Sequence, residues 1–146
     1  MHRIPTVILA VFFAFSARAE TATLSSAHDF DTTLARVERA VEAQGMFRIA
    51  TASASRAAAG VGYTIPGDAV VLVFRNDFAR RILAVDPRAG IEAPFVVHIR
   101  ADGPRAAISW KRPSAVYAPY GRPEIDAAAR ELDAIFARIA AEAAAP

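Results

Sequence analysis

The chain has no cysteine. Disulfides and thiolate metal sites are excluded, so the fold must be held by its core alone. Histidine is scarce. His2 sits in the N-terminal segment, and His28 and His98 stand far apart, with no metal-ligand spacing between them. No metal site and no cofactor is indicated. There is one lysine, Lys111, among 17 basic residues. Arginine abundance reads as overall composition, because the charge balance leaves no basic excess for nucleic acid once the N-terminal segment is removed.

That segment is present for a reason. His2 and Arg3 make a short basic start, Val7 to Phe15 is an unbroken apolar run, and Ala17-Arg18-Ala19 is an A-x-A cleavage pattern. The run is too short to span a bilayer, and the order of parts is that of a secretory signal peptide. Cleavage after Ala19 removes Arg3 and Arg18, taking 17 basic residues to 15 against 15 acidic ones, a net charge of zero. The expected product is periplasmic or secreted, with no membrane span. Residues 20–146 suffice for one domain and are too few for two. No internal repeat or linker divides them.

Glu20 to Ser26 reads as a first strand. Phe30-Asp31-Thr32-Thr33 opens a helix, with Asp31 as the expected N-cap and Phe30 as a hydrophobic staple. Leu34, Val37 and Val41 form its apolar stripe, and Gly45 stops it. Met46 to Thr51 suits a strand, and a short helix is expected around Ser55 to Ala59. Gly60-Val61-Gly62 lacks the third glycine of a dinucleotide loop and precedes a strand instead of following one.

Ala69 to Phe74 is a six-residue apolar run without alternation, which suits a central strand covered on both faces. Asn76 is the expected N-cap of a helix running from Asp77 to about Val85. Asp77 and Arg81 stand four apart on it, a spacing that suits an ion pair. Asp86-Pro87 ends it. Phe95 to Arg100 and Ala106 to Lys111 read as a hairpin with a four-residue loop around Asp102-Gly103. In that register Phe95 faces Trp110, Val97 faces Ile108, and His98 faces Ala107. Arg112 to Gly121 is a proline-punctuated loop. Pro123 opens a final helix with the stripe Ile125, Ala129, Leu132, Phe136 and Ile139, and its alanine-rich end is expected to fray.

The fold expected is α+β: a mainly antiparallel sheet of about five strands, with an N-terminal helix, a short middle helix and a long C-terminal helix packed on it. The residues also carry a resemblance. Phe30-Asp31-Thr32-Thr33-Leu34, Gly45, Ala57-Ala58 before Val61-Gly62, Ile65-Pro66, Val71-Leu72-Val73-Phe74 leading to Asn76, Ala93-Pro94, and a late strand with Trp110 resemble the DUF302 family in order and spacing. The chain has Arg75 where the family usually has Gly, and Asp77 where it has Pro. The resemblance implies an antiparallel α+β domain often seen as a dimer, and no established activity.

No catalytic residue stands out. Ser109 is placed diagonally from His98, no carboxylate is placed to orient the histidine, and no glycine-rich turn presents the serine. Asp77 and Asp86 have cap or surface roles. Trp110, Tyr117 and Tyr120 are of a type that stacks on flat ligands, and also of a type that anchors cores. The bulkier Leu72 and Phe74 are expected to face the helices. That leaves Val71, Val73 and Arg75 on the side of Val96, His98 and Ser109, and these six, with Asn76 and the aromatics Trp110 and Tyr117, are the expected ligand-binding or interface residues. Two functions remain: a non-catalytic binding or interaction module of the periplasm, with a second copy of the chain or a small ligand as partner, and a small envelope enzyme using His98 with a nearby carboxylate.

Overall fold

In the computed structural model, residues 20–146 are described; the segment read as a signal peptide lies outside them. β1 (Thr21–Ser25) precedes α1 (Phe30–Ala43). The α1 N-cap is Asp29, whose carboxylate accepts the Thr32 N–H at 2.8 Å. The expected cap, Asp31, lies inside the first turn and pairs with Arg56 at 3.2 Å. Phe30 is thus helical instead of a staple, and its ring lies so close to Gly67 that a Cβ there would overlap it. Thr33, Leu34, Val37, Ala40 and Val41 bury the α1 stripe, and Gly45 leaves the helix at φ +70°.

β2 (Phe47–Ala52), α2 (Ala54–Gly60) and β3 (Asp68–Phe74) follow. α3 (Asn76–Leu83) begins with Asn76 as its first helical residue. Arg75 occupies the N-cap position without a side-chain cap, so Asn76 is not the cap. Asp77 does not pair with Arg81. It takes a two-pronged bond from Arg75 at 2.8 and 3.1 Å, while Arg81 reaches Glu131 on the last helix. A 3₁₀ turn, Pro87–Glu92, leads to β4 (Phe95–Asp102) and β5 (Arg105–Lys111).

The β4–β5 hairpin closes through Gly103-Pro104, with Asp102 opposite Arg105, Ile99 opposite Ile108 and Val97 opposite Trp110. This is two residues from the expected register. Because side chains alternate with period two, the shift keeps every residue on its expected face while changing its neighbours. Pro104 lies within the turn, where no ladder N–H is required of it.

Arg112 to Gly121 is not a loop. It forms α4 (Pro113–Tyr117) and a short 3₁₀ turn, with Pro113 in the first turn where its missing N–H costs nothing. α5 (Pro123–Ala144) does not fray at its alanine-rich end, where Ala140, Ala143 and Ala144 are buried. The Arg36 guanidinium from α1 donates to the carbonyls of Glu142, Ala143 and Ala145, satisfying helix-end acceptors that would otherwise need water.

The sheet is antiparallel throughout, in the order β1-β5-β4-β3-β2. β4 is its middle strand, and β3 lies one place from the edge. α1 and α5 pack together against one face. The core joins Leu34, Val37 and Val41 of α1 and the buried stripe of α5 to Val71, Val73, Phe95, Val97, Ile99 and Ile108 from the sheet. Phe95 meets Tyr117 and Phe136 edge-on. Among the described residues no helix is long and apolar enough to cross a membrane.

β3 is covered on one face only. Its burial alternates strictly, with Ala69, Val71 and Val73 buried and Asp68, Val70, Leu72 and Phe74 partly exposed. The phase is therefore opposite to the one expected from side-chain bulk. Pairing decides it: Val71 sits opposite Val97 and Val73 opposite Phe95, both of which point into the helix layer.

Candidate functional site

The sheet face turned away from the helices is the site that the fold leaves open. Its apolar part comes from three neighbouring strands. Val70, Leu72 and Phe74 of β3 are half-buried. Val96 of β4, opposite Leu72, is 44% exposed, and Phe47 of β2, opposite Phe74, is 60% exposed. Among the described residues, no large side chain on this face is fully buried. Soluble surfaces seldom leave apolar side chains from three strands side by side without a partner.

Its polar part is a row across four strands. Asp68 of β3 meets His98 of β4, with Oδ2 and Nε2 2.7 Å apart. Where the carboxylate is ionised it can only accept, which makes Nε2 the donor and leaves Nδ1 of a neutral ring as an acceptor. Ser109 of β5 lies directly opposite His98, and its hydroxyl meets that of Thr23 on β1 at 2.9 Å. The two-residue shift of the hairpin thus turns a diagonal relation between His98 and Ser109 into a direct one. It does not make a catalytic triad: the Ser109 hydroxyl is engaged by Thr23, and the row lies on open sheet.

The expected site residues divide. Val96, His98 and Ser109 share the open face. Val71 and Val73 belong to the core, 0% exposed, because of the inverted phase of β3. Tyr117 is also core: burial pushes its phenol up to about 12, and its ring packs on Phe95 and Tyr120. Trp110 lies on the helix side opposite Val97, half-buried near the sheet edge. Arg75 is tied to Asp77 and stacked over the Phe78 ring at 5.0 Å. Burial opposes ionisation of Asp77, but the Arg75 guanidinium and nearby backbone N–H groups outweigh it and hold the carboxyl below its usual range. Asn76 is exposed at the start of α3.

Two acids outside the site have structural roles. The Arg88 guanidinium and backbone N–H hold the Asp86 carboxyl at about 2, where it caps the 3₁₀ turn. Asp29 caps α1, and the Thr32 N–H lowers its pKa. No group of three or more metal-ligating side chains occurs among the described residues.

Sequence reasoning missed Asp68, Leu72, Phe74 and Phe47. Asp68 is reached only through the β3–β4 register, which no local pattern reveals. Size alone places Leu72 and Phe74 inward, and strand pairing places them outward.

Beside the polar row, a groove of about 340 Å³ opens where β4 and β5 part. Their pairing ends at Val97 opposite Trp110, and Phe95, Val96 and Lys111 lie beyond it.

The sequence profile described as "Domain of unknown function DUF302" matches residues 22–143. A crystal structure of an uncharacterized conserved DUF302 protein from Bacillus stearothermophilus has a TM-score of 0.75 with this chain at 14% sequence identity. The match covers 84% of this chain and 97% of that one. At that identity it speaks for the fold. No curated protein matches the chain.

Proposed function

The chain belongs to the DUF302 family, and from that premise we propose that it is an exported, non-catalytic binding module whose open sheet face is held by a second copy of the same chain. The observation that carries the reading is the apolar strip Val70, Leu72, Phe74, Val96 and Phe47, which the helices of the chain leave uncovered. A two-fold pair would lay the strip against itself, since an isologous interface uses one patch twice. Export rests on the basic start, apolar run and A-x-A pattern of residues 1–19. The polar row and the groove beside it then form the margin of the interface, where a small ligand is reached from solvent.

The test is light scattering on residues 20–146, wild type and Val96→Glu. Val96 is exposed, so the charge does not enter the core, whereas a charge at Val73 would unfold the chain. The expected result is a dimer for the wild type at micromolar concentration and a folded monomer for the variant. A monomeric wild type, or a variant that stays dimeric, overturns the reading.

The bond between His98 and Asp68 favours a second reading, a small envelope enzyme in which Asp68 fixes the tautomer and Nδ1 of His98 takes a proton. Its mark would be turnover lost in His98→Gln with ligand affinity and mass unchanged. Ligand affinity that falls with no turnover in the wild type would exclude it.

A further inference from the structure

The groove where β4 and β5 part has the chemistry of a specific ligand class. Its body is apolar: Phe95, Val96, Trp110 and Val116 line it, with Pro94 and Ile91 at the side. Three of its polar groups gather at one strand end, while His98 and Glu92 line it from β4 and the 3₁₀ turn. Thr21 and Lys111 are direct cross-strand partners, and Ser109 lies two residues from Lys111 on the same face. This end therefore offers an ammonium with the Thr21 hydroxyl beside it, and the Ser109 hydroxyl, which also meets Thr23.

The charges decide the sign of the ligand. Lys111 makes no ion pair among the described residues. The acid lining the groove, Glu92, already accepts the Tyr120 hydroxyl at 3.0 Å. The Asp68 carboxylate is taken by His98, and the neighbouring Arg112 by Glu20 at 3.1 Å. Lys111 is unpaired among the described residues, and the Glu92 carboxylate, still charged, is held by the Tyr120 hydroxyl. One ammonium flanked by hydroxyls suits a single negative charge, since doubly charged phosphates are usually met by arginine forks or several cations. The volume lies in the range of small-molecule sites.

We infer that the groove binds a small apolar monocarboxylate, with its body against Trp110, Phe95, Val96 and Val116 and its carboxylate on Lys111. This rests on the binding-module reading and names the ligand class of that site.

The experiment uses residues 20–146 and three probes with one apolar body: 3-phenylpropanoate, 3-phenylpropanol and 3-phenylpropylamine. Trp110 is the sole tryptophan and Lys111 the sole lysine, so tryptophan fluorescence reads the groove directly and Lys111→Met removes one charge while keeping most of the stem. The carboxylate is expected to bind about 5-fold more tightly than the alcohol, the upper range for a partly exposed ion pair, and the amine more weakly than either. Lys111→Met is expected to bring the carboxylate down to the alcohol and leave the alcohol unchanged. Equal affinities, a preference for the amine, or a Lys111→Met loss shared by all three probes would overturn the proposal. If no probe binds while Val96→Glu still breaks a dimer, the ligand class fails and the module stands. If no probe binds and the wild type is a monomer, both fail.

Discussion

Val96 and Val97 are identical neighbours on β4 that point to opposite faces, 44% and 1% exposed respectively. Truncating each to alanine removes the same two methyl groups, and the difference isolates the environment. For Val97→Ala the transfer cost is about 1.6 kcal/mol at about 0.8 per carbon. The cavity left among Val71, Ile99 and the helices adds up to about 1 kcal/mol. The expected loss is therefore about 2–2.5 kcal/mol. Val96 is already 44% exposed, and solvent fills the space left behind. Its expected loss in the single chain is about 0.9 kcal/mol. Urea unfolding followed by circular dichroism measures both. A second copy on the open face adds a further signature: the Val96→Ala deficit should grow between about 1 and 100 µM protein, by mass action, while the Val97→Ala deficit stays constant apart from the dimer shift shared with the wild type. Equal losses, or a larger loss at Val96 in the dilute sample, would refute the assignment of faces.

Three other substitutions and one mass measurement test separate parts of the structure. Asn76→Ala should change stability by less than about 0.5 kcal/mol in urea unfolding, because Asn76 is not the cap of α3; a loss near the ~1 kcal/mol of a true cap would restore that role. Gly67→Ala should cost about 1–3 kcal/mol, because the new methyl meets the Phe30 ring; an unchanged melting temperature would show that the contact is loose. Asp86 is held at about 2 in the folded chain, below its ordinary 3.8. Its depressed pKa contributes stability that is present above about pH 4 and lost as pH falls toward about 2. Asp86→Asn should accordingly flatten the urea midpoint between pH 5 and 2, and an unchanged pH slope would assign the loss to other groups. Finally, the protein recovered from the periplasm of an expressing bacterium should begin at Glu20 by intact mass; a product beginning at Met1 would contradict export.

The elements with strong periodicity were legible in the sequence. The α1 and α5 stripes, the five strands and the turn at Gly45 all lie where spacing predicts, because each is set by residues within a few positions. What was not legible depends on partners. The end of α5 packs on α1 and has its last carbonyls bonded by Arg36, more than a hundred residues away, so a locally weak helix end is held firm. The hairpin register turned on whether Gly103-Pro104 or Asp102-Gly103 occupies the turn, a choice between neighbours that alternation cannot make, since both put the same residues inward. The faces of β3 were reversed because its run is apolar throughout and size was the remaining guide; the helix layer took the compact Val71 and Val73, and left Leu72 and Phe74 outside. That reversal also hid Asp68 from His98. Val96, His98 and Ser109 share one face, as alternation along β4 and β5 predicts.

The central claim is that a second copy covers this face. A sample mixed one to one from ¹³C-labelled and unlabelled residues 20–146, measured by isotope-filtered nuclear Overhauser spectroscopy, tests it without any substitution. The account predicts cross-copy contacts at the methyls of Val70, Leu72 and Val96. Cross-copy contacts confined to the solvent side of α5, or none in a sample with the mass of a single chain, would contradict it.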